Sequence, residues 1–272
     1  MAARSQQLLF QFGYWGADFW GLAPQPGRCT VISALAERLR DAGAHPWAWS
    51  FAARTDRGVH ARRTWVSCRV AADWDAVAGA RRLQVPGDVR LRDLQLAVLS
   101  ARTMVRATVA ARWYRYLLRL PSASAPTAPT CLCSAQAWCL ERACDVDLLR
   151  AAAARAQAQP QDVCAWLPAA RRQARPGPHL RPLLAVRVTP ERAPCCGGAR
   201  LQLDVVGAGF VRYMVRRLVA EWVQRGTPTA DVGGRAPAAG LCLWDLRPSA
   251  ALAALLPAAW GTANAADWPL GG

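Results

Sequence analysis

PWAWSFAARTDRGVHARRTWVSCRV, residues 46–70, joins two extended runs through one turn. Pro46 to Ala53 is extended and rich in tryptophan, and Thr64 to Val70 alternates, with Val66, Cys68 and Val70 on one side. Between them Gly58 bends the chain, and Asp56 stands between Arg54 and Arg57. An aspartate so placed either caps its own turn or meets a ligand from a loop held by rigid strands.

Working outward, Gln7 to Phe12 reads as a short strand. Thr30 to Ala42 is a helix that places Ile32, Leu35, Ala36 and Leu39 on one face and ends at Gly43. Asp73 to Leu83 is a second helix, stopped before Pro86, and Leu94 to Ser100 is a last strand. The order β-α-β-β-α-β is that of the ferredoxin-like motif, whose sheet has one face free of helices. After residue 105 the rhythm repeats. Arg112 to Leu120 is a strand, Pro121 to Ala135 a loop, Asp145 to Gln157 a helix, and Leu183 to Pro190 and Ala199 to Val206 are strands. Phe210 to Arg225 is the strongest helix, with Val211, Val215, Leu218, Val219 and Trp222 as its apolar stripe and Arg212 and Arg216 off its centre. Leu241 to Arg247 closes the set. The expectation is an α+β protein of two ferredoxin-like halves, residues 1–105 and 106–272, with largely antiparallel sheets enclosing a basic cleft.

Composition narrows the partners. A chain of 272 residues that is 53% hydrophobic has ample core, and a formal charge of +16 attracts polyanions, nucleic acid first among them. All 34 basic residues are arginine, whose planar fork grips phosphate bidentately and stacks on bases. The opening MAARSQQLLFQFGYW has no long apolar core behind its basic start, and no run reaches membrane-spanning length, so a soluble cytoplasmic protein is expected. Cys131, Cys133, Cys139 and Cys144 lie close in sequence but lack paired C-x2-C knuckles; free thiols rather than a metal site are expected.

Several stretches together resemble one family. ARTDRGVHA, residues 53–61, is similar to the signature G-R-T-D-x-G-V-H-[GA] of the TruA-type tRNA pseudouridine synthases. In the same order along the chain, GYWGADFWG (13–21) with PQPGRCTVISAL (24–35) resembles the family's opening strand, loop and helix. QVPGDVRL (84–91) resembles its L-P-x-D-I segment, and ARWYRYLL (111–118) its R-x-Y-R-Y strand. GAGFVRYMVRRLVA (207–220) resembles its A-x-x-F-x-x-x-M-V-R-x-I-V-G helix, and PAAGLCLWDL (237–246) its closing G-L-x-L strand.

The resemblance implies an isomerase that converts uridine to pseudouridine in the tRNA anticodon stem-loop, at positions 38 to 40. It implies a cytoplasmic homodimer working without cofactor, metal or guide RNA. It makes Asp56 the catalytic carboxylate, with Arg54 and Arg216 as its guanidinium partners and Tyr114 stacking on the target base. Tyr116 shares a strand face with Tyr114, so one of the two is open to a core role; Tyr114 is assigned to the site and Tyr116 to structure. Arg57 and Arg212 are expected to contact substrate, and His60 to serve the turn. Two departures stand out. TMVR (103–106) replaces the family's F-H-A-R, and Gly226 to Gly240 is a Pro/Gly-rich loop where the family has a helix. The competing reading is a degenerate relative that binds structured RNA and does no chemistry.

Overall fold

A computed structural model of the chain describes residues 4–84, 88, 90–100, 102–121, 135–192, 198–228, 233–257, 260 and 267–269. In chain order its elements are β1 (Ser5–Tyr14), α1 (Val31–Asp41), β2 (Trp47–Phe51), β3 (His60–Ala71), α2 (Ala76–Leu83), β4 (Leu91–Leu99) and β5 (Val109–Arg119). There follow β6 (Trp138–Cys139), α3 (Val146–Ala158), β7 (Gln161–Asp162), α4 (Ala169–Ala174), β8 (Leu180–Arg181), β9 (Ala185–Arg192), β10 (Ala199–Gly207), α5 (Met214–Gly226), β11 (Leu241–Pro248) and α6 (Ala250–Ala253). The protein is α+β, with mostly antiparallel strand pairing. It divides into two compact units, residues 1–112 with 243–264, and residues 113–242 with 265–272. Of the expected loop from Pro121 to Ala135, residues 122–134, with Cys131 and Cys133, lie outside the described residues; Cys139 and Cys144 are free thiols.

In the first unit β1 is central. It pairs antiparallel with β3, Phe10 opposite Val66, and with β4, Phe10 opposite Leu96. β2 pairs antiparallel with β3, Phe51 opposite Val66, so these four strands lie in the order β4-β1-β3-β2. Local chemistry starts both helices. The Thr30 hydroxyl accepts the Ser33 N–H at 3.1 Å while the Ser33 hydroxyl accepts the Thr30 N–H at 2.8 Å, a reciprocal cap at the head of α1. Asp75 accepts the N–H groups of Val77 and Ala78 at the head of α2. Val31, Ile32, Leu35 and Leu39 form the buried stripe of α1. β3 is longer than its alternation suggested and is buried on both faces: Trp65 and Ser67 are as inaccessible as Val66 and Cys68. Two of the polar groups this buries are paired, Trp65 Nε1 donating to Gln11 Oε1 at 2.9 Å and Gln7 Nε2 to Ser67 Oγ at 3.1 Å, whereas the buried Thr64 hydroxyl has no partner among the described residues.

In the second unit β10 pairs antiparallel with β9, Leu203 opposite Val188, and β5 lies on the other side of β10. β6 adds to β5 in parallel, and β7 and β8 form a separate ribbon. Buried Asp204 on β10 gathers donors from three residues: Trp113 Nε1 at 2.7 Å, Arg115 through Nε at 2.8 Å and Nη2 at 3.3 Å, and Gln202 Nε2 at 2.7 Å. A buried carboxylate needs that company, because desolvation without it is costly. α5 buries Val215, Leu218, Val219 and Trp222, four of the five positions expected on its stripe, while Val211 lies before the helix and is only half-buried, and α5 meets the start of α3 at Gly226. There a Cβ would stand 2.7 Å from the Asp145 carbonyl oxygen, so only glycine allows the two helix ends to touch.

α5 begins four residues later than its periodicity suggested. Tyr213, its N-cap, is left-handed at φ 63° and ψ 3°, which ends any helical run from Phe210. For a residue with a Cβ that conformation costs about 1 to 2 kcal/mol, and it swings Phe210, Val211 and Arg212 off the helix axis.

Candidate active site

The turn between β2 and β3 is held from behind by residues 13–22. The hydroxyls of Tyr14 and Thr55 are 2.6 Å apart, and the Thr55 carbonyl accepts the Leu22 N–H at 3.3 Å. On the far side of Asp56, the Gly58 N–H donates to the Phe19 carbonyl at 3.3 Å, and the Gly16 N–H donates to His60 Nδ1 at 3.0 Å. Two glycines make this closeness possible. A Cβ on Gly16 would lie 2.1 Å from the Val59 oxygen, and Gly21, at φ +97°, would put one 2.9 Å from the Thr55 oxygen.

Asp56 is therefore fixed from both flanks. Its carbonyl accepts the Val59 N–H at 3.2 Å, Gly58 supplies the left-handed bend at φ 78°, and Asp56 itself is half-buried. Arg54 and Arg57 on either side are exposed. Arg54 lies over the Phe51 ring at 5.4 Å; Arg57 stacks on Trp20 at 3.7 Å, and Arg28 stacks on the same ring at 3.9 Å. His60 is buried, its ring 4.2 Å from that of Trp15. With Nδ1 accepting from a backbone N–H, the neutral ring carries its proton on Nε2, which matches the turn role expected of it.

The other expected site residues lie in the second unit. Tyr114 on β5 is buried and meets Phe210 edge to face, ring centroids 5.2 Å apart. Tyr116, two residues on, is fully buried. Its hydroxyl donates to the Pro237 carbonyl at 2.8 Å, its ring packs against Trp138, and burial pushes its pKa far above the ordinary phenol value. Gly240 passes so close that a Cβ there would touch the Tyr116 ring at 2.6 Å. Those ties are structural. Arg216, in the first turn of α5, donates from Nε to the Ala236 carbonyl at 2.6 Å while its own carbonyl accepts the Ala236 N–H at 2.9 Å. Its charge is near enough to Tyr116 to oppose that rise. Arg212 is exposed and stacks on Tyr213 at 4.6 Å.

Sequence reasoning missed the residues that support these. Tyr14 and Thr55 form a buried pair with no spacing to announce it, Trp20 becomes a seat for two arginines far apart in sequence, and Tyr213 draws Arg212 and Arg235 onto one ring. Arg112, in the stretch ARWYRYLL, belongs with them. It is buried and donates to the carbonyls of Ala52, Arg106 and Val109, tying the end of β2 in place. At the departure from F-H-A-R, the backbone of Thr103 exchanges two hydrogen bonds with the Gln7 amide, and Met104 is exposed.

No family model matches the chain. Among curated proteins it is 26% identical over 251 residues to tRNA pseudouridine synthase A of Pelobacter propionicus, covering 86% of this chain and 96% of that one. It is 30% identical over 115 residues to the tRNA pseudouridine(27/28) synthase of Saccharomyces cerevisiae, and 28% identical over 136 residues to tRNA pseudouridine synthase 1 of Candida glabrata. The matches span only 30% and 24% of these two yeast relatives' lengths. The chain is thus similar to TruA-type tRNA pseudouridine synthases, over most of its length in the bacterial case.

Proposed function

We propose that the protein is a tRNA pseudouridine synthase, an isomerase that converts uridine to pseudouridine in the anticodon stem-loop, with Asp56 as its catalytic carboxylate. The observation that carries this reading is the doubly clamped turn that holds Asp56 between two exposed arginines, in a chain alignable along almost the whole of a bacterial pseudouridine synthase. Isomerisation breaks the bond from ribose C1′ to uracil N1, turns the base while it stays bound, and rejoins it through C5. The carboxylate must act at the sugar or base with water excluded, since a captured sugar would mean hydrolysis. A rigid turn serves that need better than a mobile one, because misplacement of the reacting group is costly.

In this reading Arg54 and Arg216 orient the carboxylate and hold it ionised, and Tyr114 stacks on the flipped base, a contact worth on the order of 1 to 3 kcal/mol. Arg57 and Arg212 contact tRNA phosphates. The order β4-β1-β3-β2 supports a ferredoxin-like first half, and the β-α-β-β-α-β sequence of β5, α3, β9, β10, α5 and β11 supports a second. The division near residue 105, the basic cleft, the homodimer and the cytoplasmic setting belong to the same proposal. So does the absence of a required cofactor, metal or guide RNA. No helix among the described residues is long and apolar enough to cross a membrane.

The experiment is incubation of the purified chain with unmodified tRNA transcripts, followed by mapping of pseudouridine by carbodiimide-blocked reverse transcription. Stops in the anticodon stem-loop support the proposal. Tight tRNA binding without product would favour the competing RNA-binding reading, and stops elsewhere would move the specificity. The yeast relative's name places its own uridines at 27/28, so both sets of positions are to be read.

A further inference from the structure

The second unit carries a run of arginines and aromatics along α5 that the proposed chemistry does not use. At the head of the helix the left-handed Tyr213 receives the guanidinium of Arg235 at 4.4 Å and that of Arg212 at 4.6 Å. Arg235 comes from the segment after α5 and is placed there by the two bonds of its neighbour Ala236 with Arg216, one from the Arg216 side chain and one to its carbonyl. It also lines an open groove of about 1110 Å³ with Arg217, Arg225 and Trp166.

Two details say that the groove takes an anion. Arg217, half-buried, lies over the Trp166 ring at 5.5 Å and lines the groove with the planar donor fork that phosphate oxygens accept. Three of the groove's side chains are arginines and one is an acid, Glu221, so the field there is positive. Guanidiniums alternating with aromatic rings are what a single-stranded or looped sugar-phosphate backbone requires: charge for the phosphates and flat faces for sugars and bases.

We propose that the surface from Tyr213 through Arg235 to Arg217 and Arg225 binds the RNA sugar-phosphate backbone outside the target nucleotide. The Pro/Gly-rich segment after α5, which stands where the resembled family has a helix, thereby supplies a grip of its own through Arg235. This deepens the tRNA reading and rests on it for the identity of the RNA.

The test measures the affinity of unmodified tRNA transcript across a salt series for wild type, Arg225→Ala, Arg235→Ala and the double variant. Arg82→Ala, an exposed arginine of the first unit, serves as a control for net charge. Each groove substitution is expected to make the slope of log K against log salt shallower by about 0.7 to 0.9, and the double variant by about twice that. Arg225 is exposed on the last turn of α5, so its substitution reads out even if Arg235→Ala disturbs the fold. Groove variants with the slope of Arg82→Ala would overturn the proposal. Product mapping separates the two failures: shallower slopes without pseudouridine would leave this surface standing and remove the enzyme, whereas pseudouridine with unchanged slopes would do the reverse.

Discussion

The Tyr14 hydroxyl lies 2.6 Å from that of Thr55, and both side chains are buried. This bond joins the end of β1 to the residue before Asp56, so the turn that carries Asp56 takes its position from the centre of the first unit's sheet. Tyr14→Phe removes it with almost no change of shape. A buried hydrogen bond contributes about 0.5 to 1.5 kcal/mol net, so a Tm lower by several degrees is expected. Turnover should fall more than that stability loss explains, because the turn loses one of its anchors. Equal turnover at a temperature where both proteins are folded would show that the anchor is unimportant to the site.

Tyr114 and Phe210 meet edge to face, so the two roles proposed for Tyr114, ring and hydroxyl, can be tested separately. Tyr114→Phe keeps the ring contact and loses the hydroxyl, so single-turnover kinetics should show a slower step with little change in tRNA affinity or Tm. Tyr114→Ala empties a buried site, at about 3 to 5 kcal/mol by analogy with other aromatic truncations, and should weaken binding and stability together. Indistinguishable variants would remove the hydroxyl from the mechanism.

The salt dependence of binding tests Arg57. Its guanidinium is exposed and seated on Trp20 beside Arg28, an arrangement that presents charge without burying it. Arg57→Ala should lower the salt slope by about 0.7 to 0.9 and raise KM more than it lowers kcat. An unchanged slope with lost turnover would place Arg57 with the catalytic groups instead.

Much of this architecture is legible in the chain. Helix starts at Thr30 and Asp145 fall where side-chain caps form, α2 starts later than the Asp73 read from sequence because Asp75 takes the cap, and Gly58 occupies the turn position that needs a positive φ. The left-handed Tyr213 could not be read. Phe210 and Val211 continue the apolar rhythm of α5, and nothing local marks a tyrosine for a conformation that glycine usually fills. Burial on both faces of β3 was hidden because Trp65 and Ser67 read as the outward side of an alternating strand. The seats at Trp20 and Tyr213 join residues remote in sequence, so periodicity carries no trace of them.

Alkaline stability should report the core of β3. Burial pushes the Cys68 thiol up to about 12 from an ordinary value of 9.0, so the folded chain keeps a proton that the unfolded chain releases. This contribution is complete below pH 9 and is lost as pH rises from there through about 12. Cys68→Ala should flatten that part of the profile of Tm against pH while lowering Tm at neutral pH through the small cavity it leaves. An unaltered alkaline slope would show that other groups govern it.

The most direct measurement concerns Asp56. Asp56→Ala and wild type are compared for pseudouridine formed on unmodified tRNA and, in parallel, for tRNA affinity. The account predicts no detectable product from the variant and affinity close to wild type, because the carboxylate acts on the flipped nucleotide while arginines hold the backbone. Residual turnover within about tenfold of wild type, a loss of no more than about 1.4 kcal/mol in transition-state stabilisation, would contradict it.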